Sequence, residues 1–192
     1  LPYFLKRMVK RGGYLKDFSH RLGFFPSLPQ KEKGVKRIWL QAVSVGEVLA
    51  IEPIIKELNQ MQDIEIVLTT TTSTGYREAL KKYSNGVLKV GLFPIDFLPF
   101  SLLSWKKISP DIIILTESEM WPEHLNHAKK YKIPTFLINA RLSKKSFKRL
   151  HAFKVFSKWV ISKIDYIYPS TKSDDKLFRN LGASPQGEIG NI

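Results

Sequence analysis

Apolar residues recur along the chain in two alternating patterns, one typical of buried strands and the other of amphipathic helices. The strand-like segments are continuous apolar runs, as expected for strands covered on both faces. They lie at 37–43, 65–70, 88–93, 111–116, 135–139, 166–169 and 187–190. Apolar residues spaced three and four apart predict helices at 47–60, 75–83, 96–107, 120–131, 144–164 and 173–180.

Strands that alternate with helices predict an α/β fold, here a Rossmann-like parallel sheet with helices on both faces. Pro53 falls inside the first predicted helix, which is therefore kinked or restarts there. Residues 1–36 lack the pattern and contain several glycines and prolines, so they are predicted to be an N-terminal appendage. Residues 37–192 form the predicted domain.

The composition is that of a globular domain, with 43% hydrophobic and 25% charged residues in a chain of 192. Because cysteine is absent, disulfides, cysteine-based metal sites and cysteine nucleophiles are excluded. No apolar run is long enough to span a membrane. The chain begins at Leu1 and stops at Ile192, and we expect it to be a fragment of a longer protein.

The net charge of +14 is concentrated in two blocks, +8 over residues 1–37 and +11 over residues 129–163. Such blocks attract nucleic acid, anionic lipid head groups or phosphorylated substrates, although a solvated basic face is an equally good interpretation. In the segment 144–164, aromatic residues lie on one side and lysines on much of the rest. This pattern suits a helix that docks on an anionic membrane, but the aromatic side is more often ordinary core.

Loops that follow the predicted strands are the expected place for chemistry, because ligands bind at the carboxyl ends of parallel strands. In the loop Ser44-Val45-Gly46-Glu47, Gly46 is expected to permit a tight turn into the helix. Glu47 then lies at the helix start, where the dipole favours an ionised carboxylate suited to act as a general base. The alternative is that Glu47 only complements the dipole.

The run Thr69 to Thr74, followed by Gly75, places hydroxyls and backbone N–H groups at a helix start, where they can hold an anion or a sugar. For most of these residues, a strand end followed by an N-cap is the better interpretation. The sequence has neither a Walker motif nor a GxGxxG motif, so a nucleotide site of either kind has no support.

Two carboxylates, Glu117 and Glu119, directly follow the most apolar strand. One of them is suited to stabilise a developing cation or to hold a neighbouring loop, while Glu119 has a helix-capping role as an alternative. Asn139 and Arg141 follow the next strand, and the Arg fork suits a phosphate or carboxylate, or pairs with the two glutamates.

A metal site is disfavoured by the ligand set. His124 and His127 stand three residues apart on one predicted helix, but cysteine is absent and no third ligand is in view. We therefore predict no metal and no cofactor.

Taken in order, these motifs resemble one family, the 3-deoxy-D-manno-octulosonic acid (Kdo) transferases of lipopolysaccharide synthesis. The matching segments are YLKDFSHRLG (14–23), QAVSVGE (41–47), LTTTTSTG (68–75), FPIDFLP (93–99), PDIIILTESEMWP (110–122), IPTFLINARLSKKS (133–146), LGA (181–183) and GN (190–191). Two positions depart from the family pattern: Glu123, where Asn is usual, and Ile192, where Leu is usual.

The resemblance implies the N-terminal, acceptor-binding half of a GT-B glycosyltransferase. In the family a hydrophobic anchor precedes this domain, and a nucleotide-binding C-terminal domain follows it. The expected location is the cytoplasmic face of the inner membrane of a lipopolysaccharide-making bacterium. Because the donor binds mainly to the C-terminal domain, we expect the 192-residue chain alone to be inactive.

The activity implied by the resemblance is inverting transfer of Kdo from CMP-Kdo to a phosphorylated lipid A precursor at an anionic membrane surface. By match, Glu47 is the proton acceptor and Glu117 stabilises the transition state. The expected substrate-binding residues are Ser44, Gly46, Thr72, Thr74, Glu119, Asn139 and Arg141.

Two alternatives stay open on sequence grounds. One is a GT-B transferase that uses another activated sugar. The other is a basic module for nucleic acid, although the exposed aromatic platforms typical of such binders are not evident, and we predict no nucleic-acid partner. A transferase requires Glu47 and Glu117 to face one cleft, whereas a nucleic-acid binder would place Lys and Arg there.

Overall fold

The computed structural model describes residues 17–187, and within them the predicted fold class is confirmed: a six-stranded parallel sheet with helices on both faces. The strands are β1 (Lys36–Ala42), β2 (Ile64–Thr70), β3 (Lys89–Leu92), β4 (Ile112–Thr116), β5 (Thr135–Ala140) and β6 (Tyr166–Pro169). The α-helices are α1 (Val45–Ala50), α2 (Glu52–Asn59), α3 (Ser73–Tyr83), α4 (Leu98–Ile108), α5 (Pro122–Tyr131), α6 (Lys144–Ala152), α7 (Lys154–Ile161) and α8 (Lys172–Asn180). A short 3-10 helix, Phe18–Leu22, precedes β1.

Two predicted helices are each divided in the structure. The first is interrupted at Ile51 and restarts as α2 with Pro53 in its first turn, as the position of that proline predicted. The prediction of one continuous helix over 144–164 is wrong, because the helix is interrupted at Phe153, between α6 and α7. The predicted strand at 187–190 and the GN motif at 190–191 lie almost wholly outside the described residues.

The chain divides into two compact units between Ser109 and Pro110. In the first unit the strand order is β3-β2-β1, all parallel. Its core centres on Trp39, which is fully buried and packs against Phe93 and Trp105 with ring centroids 5.6 and 5.5 Å apart. The indole N–H of Trp39 donates to Thr69 Oγ1 at 2.8 Å, so the polar atom of this large side chain is satisfied.

In the second unit the order is β4-β5-β6, again parallel. The register between β5 and β6 shifts between Leu137 and Ala140, so the end of β5 is irregular. A register shift of this kind changes the direction of side chains at the end of a strand. Phe178 of α8 is fully buried in this unit.

Part of the predicted appendage is packed onto the first unit. Phe25 is 3% exposed, and a Cβ added at Gly91 of β3 would collide with its ring. The sequence pattern missed this packing because 17–36 has no regular periodicity. That residues 1–36 lie next to a membrane stays a prediction. Among the described helices, none combines the length and the apolar character needed to cross a bilayer.

The environment of His20, in the 3-10 helix, predicts that the free energy of unfolding falls in acid. Burial lowers the pKa of His20 despite the opposing charge of Asp17, and Lys89 lowers it further. The Leu92 N–H donates to His20 Nδ1 at 3.4 Å, a contact that requires this nitrogen to be unprotonated. The unfolded chain, whose histidines titrate near pH 6.5, therefore binds more protons than the folded chain just below that pH.

We therefore expect the free energy of unfolding to fall as the pH decreases from neutrality through about 6.5. Urea unfolding at a series of pH values measures this slope, and His20→Asn is expected to reduce it. His127, whose pKa is also lowered by burial, supplies a further part of the slope. The exposed His151 provides the matched control, His151→Asn. A His20→Asn slope equal to that of the control would contradict the assignment.

Candidate active site

Each predicted site residue lies just after the carboxyl end of a strand or at its last positions. Ser44, Gly46 and Glu47 follow β1, and Thr72 and Thr74 follow β2, all in the first unit. In the second unit, the end of β4 and the end of β5 supply the others, namely Glu117, Glu119, Asn139 and Arg141. The structure thus provides two groups, one in each unit.

The Glu47 carboxylate turns back onto its own loop. The Val43 N–H donates to Glu47 Oε2 at 2.9 Å, and the Ser44 hydroxyl donates to Oε1 at 3.4 Å. Glu47 is 7% exposed and lies in the first turn of α1. These hydrogen bonds hold the carboxylate in a fixed position at the helix start. This geometry is compatible with a general base and also with the helix-start role left open above.

The Thr-rich loop is joined to the Glu47 loop through one carbonyl. The Val43 carbonyl accepts from the N–H groups of Thr71 and Thr72 at 3.2 and 2.9 Å, and from the Thr72 hydroxyl at 3.0 Å. Thr72 Oγ1 also accepts from the Gly75 N–H at 3.1 Å and so caps α3. The N-cap interpretation of this loop is confirmed for Thr72, and Thr74 adds an exposed hydroxyl 3.4 Å away.

The expectation that Gly46 supplies a tight turn is wrong. Gly46 lies inside α1, and its φ is not in the left-handed region that favours glycine. An added Cβ would meet nothing within 4 Å. The absence of a side chain therefore leaves open space beside the Glu47 loop, which suits close approach of a ligand to the backbone.

Arg21 is a residue of this group that sequence reasoning missed. It is 8% exposed, and its guanidinium donates to the carbonyls of Phe93, at 3.0 Å, and Thr71. It thereby ties the loop after β2 to the end of β3. The only sequence signal was its place in the SHRLG segment, where it counted as one charge of a basic block.

In the second unit, Glu117 and Asn139 both have left-handed backbones, with φ of 54° and 49°. For residues other than glycine this conformation costs about 1–3 kcal/mol, and such strain concentrates at functional sites. The Glu117 N–H donates to the Ile138 carbonyl at 3.0 Å, and the Arg141 N–H donates to the Glu117 carbonyl at 3.3 Å. These bonds hold the loops after β4 and β5 side by side.

The Asn139 side chain carries a polar atom that suits a ligand. Asn139 is 6% exposed, and its Oδ1 atom has no hydrogen-bond partner among the described residues. A buried acceptor without a partner is costly, so this atom is suited to accept from a hydroxyl or amide of a bound substrate. No sequence pattern indicated that this oxygen would be left unsatisfied.

Glu119 accepts a hydrogen bond from the Trp121 indole N–H at 2.8 Å. Helix α5 begins at Pro122 with Trp121 as its N-cap residue, so the predicted helix start at Met120 is two residues early. Arg141 is exposed beside this loop.

Asp174 of α8 supports the Arg141 loop, a role that the sequence did not predict. Asp174 Oδ1 accepts from the Leu142 N–H at 3.0 Å, and the Thr171 hydroxyl donates to Oδ2 at 2.6 Å. The Asp174 N–H in turn donates to Thr171 Oγ1 at 3.1 Å, so the Thr171 side chain caps α8. The T-K-S-D spacing of 171–174 was the sequence signal for this arrangement.

The two histidines of α5 are core residues. His124 is fully buried, and His127 is 4% exposed and stacks on Tyr131 with centroids 6.0 Å apart. Over residues 17–187, no group of three or more His, Asp or Glu side chains is arranged to hold a metal ion.

Comparison with solved structures identifies the fold. The chain is similar to UDP-GlcNAc 2-epimerase from Neisseria meningitidis bound to UDP-GlcNAc, with a TM-score of 0.56 and 13% identity over 81% of this chain and 47% of that one. At this identity the similarity establishes a GT-B-like fold and nothing about chemistry.

Sequence comparison identifies the family. A bifunctional glycosyltransferase/methyltransferase of Fusobacterium nucleatum is 30% identical over 83% of this chain and 26% of its own length. A 3-deoxy-D-manno-octulosonic acid transferase of Chlamydia muridarum is 28% identical over all of this chain and 45% of its own length. The chain thus spans between a quarter and a half of these curated relatives. The family model for 3-deoxy-D-manno-octulosonic-acid transferase (kdotransferase) matches residues 16–192, and the chain belongs to that family.

Proposed function

We propose that this chain is the acceptor-binding part of an inverting transferase, which moves Kdo from CMP-Kdo to a sugar hydroxyl of a phosphorylated lipid A precursor. The observation that carries the proposal is the Glu47 carboxylate, which is buried and held by backbone hydrogen bonding at the start of α1. Family membership supports the choice of donor and acceptor.

In the proposed step Glu47 takes the proton from the acceptor hydroxyl as its oxygen attacks the anomeric carbon of Kdo. The bond from that carbon to the phosphate oxygen of CMP breaks, and CMP leaves with the electron pair. Inversion follows because attack and departure occur on opposite faces. Glu117 is the proposed electrostatic partner of the cation-like sugar in the transition state.

The remaining site residues are proposed to hold the acceptor. The Asn139 oxygen and the exposed Thr74 hydroxyl suit sugar hydroxyls, while the Arg141 guanidinium suits a phosphate. Ser44 and Thr72 shape the Glu47 loop, Gly46 leaves space beside it, and Glu119 orients Trp121. Action at the cytoplasmic face of an anionic membrane is also part of this proposal.

The first test compares the 192-residue chain alone with the same chain joined to the C-terminal part of the Chlamydia muridarum relative. With labelled CMP-Kdo and a phosphorylated lipid A precursor, we expect no transfer by the chain alone and measurable transfer by the joined form. Turnover by the chain alone would contradict the first expectation. A folded joined form that binds the acceptor but transfers only another activated sugar would favour the alternative transferase.

A further inference from the structure

Helix α7 presents apolar residues on two opposite faces. Val160 and Ile161 point inward and are 5% and 3% exposed. The outward side carries four large apolar residues at α7 and at the break before it, which we call the aromatic ridge: Phe153 (68% exposed), Val155 (87%), Phe156 (52%) and Trp159 (44%). The sequence left open whether the aromatic side of this segment was core, and for these four residues it is surface.

The position of the ridge is fixed by the break at Phe153. The Ser157 hydroxyl, which is buried, donates to the Leu150 carbonyl at 2.7 Å and so fastens α7 to α6. The Ser157 N–H bonds to the Phe153 carbonyl at 2.9 Å and starts the new helix.

The ridge lies within the most basic part of the chain. Residues 143–163 contain seven Lys and Arg and no Asp or Glu. Six are exposed: Lys144, Lys145, Lys148, Arg149, Lys154 and Lys158. The seventh, Lys163, places its ammonium 4.1 Å from the centroid of the Trp159 ring. Exposed apolar residues within a basic segment complement the interface of an anionic bilayer, where acyl chains adjoin phosphate head groups.

We propose that the aromatic ridge inserts into the interface of an anionic membrane, with the surrounding lysines and Arg149 on lipid phosphates. The inference deepens the proposed function and rests on it only in taking a lipid surface as the partner. Contrary to the expectation from the sequence, three rings of the ridge are exposed, so nucleic acid is the competing outcome of the test below. Val155, the most exposed member, has no ring on which a base can stack and favours a lipid surface.

A cavity connects this surface with the candidate site inside the second unit. It has a volume of about 170 Å³, and its lining includes Phe156 of the ridge, Arg149 and Ser118, the residue between Glu117 and Glu119. A lipid head group that enters this cavity would contact both Phe156 of the ridge and the loop that carries the proposed transition-state carboxylate. Membrane docking at this surface would bring a lipid acceptor to its site without extraction from the bilayer.

Trp159 provides a direct readout of insertion. Of the four tryptophans it is the only exposed one, since Trp39 and Trp105 are buried and Trp121 is half-buried. We would mix the 192-residue chain with vesicles of phosphatidylcholine and phosphatidylglycerol that carry brominated acyl chains. The expected result is quenching of the Trp159 fluorescence, with no quenching on vesicles of phosphatidylcholine alone. A Trp159→Phe chain is expected to bind the vesicles and to lose the quenching.

The double variant Phe153→Ser/Val155→Ser removes the two most exposed apolar side chains of the ridge, which are 68% and 87% exposed. We expect its partitioning onto anionic vesicles to fall about tenfold or more, because two apolar side chains no longer leave water on insertion. Met61→Ser/Leu80→Ser, at exposed sites of the first unit, is the matched control and is expected to partition like the unaltered chain.

Two results of the vesicle experiments would overturn the proposal. One is vesicle binding without quenching of Trp159, and the other is a Phe153→Ser/Val155→Ser variant that binds as tightly as the control. Preferential binding of duplex or single-stranded nucleic acid that is unaffected by the variant would also overturn it. The measurement needs no CMP-Kdo and no transfer. Vesicle binding with quenching therefore supports membrane insertion of the ridge even if the Kdo assay fails. Kdo transfer without quenching would support the proposed function and contradict membrane insertion of the ridge.

Discussion

Replacement of Glu47 by Gln is expected to lower the rate of Kdo transfer about 10³-fold, within the usual contribution of a positioned general base. Gln has the shape of Glu, and its amide oxygen can accept from the Val43 N–H as Glu47 Oε2 does at 2.9 Å. The loop should therefore persist, while the group that takes the proton is lost. The measurement is kcat and KM for the acceptor in the chain joined to the C-terminal part of the Chlamydia muridarum relative.

A general base predicts that kcat falls while KM for the acceptor changes little. Ser44→Ala is the matched control in the same loop, because it removes only the long 3.4 Å bond to Glu47 Oε1. We expect Ser44→Ala to keep transfer within about threefold of the unaltered protein, in line with a net value of about 0.5 kcal/mol for a weak hydrogen bond. A Glu47→Gln protein that transfers normally but melts at a lower temperature would leave Glu47 as a helix-start residue.

Replacement of Arg37 by Met is expected to reduce the free energy of unfolding by about 3 kcal/mol, the lower end of the range for breaking a buried ion pair. Arg37 is 3% exposed and donates to Glu65 Oε1 at 2.5 Å and to the carbonyls of Ile108, at 2.8 Å, and Pro29, at 2.9 Å. Met fills similar volume but leaves these three acceptors without their donor. Because Glu65 keeps 18% of its side chain exposed, water relieves part of the cost.

Urea unfolding measures this loss, with Lys56→Met as the matched control. The Lys56–Glu52 pair is 3.0 Å long, and the Lys56 side chain is 70% exposed. Exposed pairs of this type contribute about 0.3–0.5 kcal/mol, so the control should be nearly neutral. If Arg37→Met were no more destabilising than Lys56→Met, Arg37 would not join β1 to the preceding segment and to α4 as the hydrogen bonds indicate.

Hydrophobic periodicity predicts the order of strands and helices in the domain, because a parallel sheet covered on both faces requires continuous apolar strands. The predicted boundaries agree with the observed ones within about two residues for most elements, and Pro53 correctly marked the restart at α2. The break at Phe153 was not predictable in the same way. At this break the Ser157 hydroxyl donates to the Leu150 carbonyl, a contact that has no counterpart in the apolar pattern of the segment.

The sequence by itself determined the family, the order of the loops and the residue types at the ends of the strands. These features follow from the order of residues along the chain and from local hydrophobic periodicity. The same two sources of information suffice to place Glu47 at a helix start. Tertiary structure alone decided which polar groups lack partners and which apolar groups face water. The unsatisfied Asn139 oxygen, the burial of Arg21 and the exposure of the aromatic ridge are examples. Each depends on contacts between residues distant in the chain, for which local periodicity carries no signal.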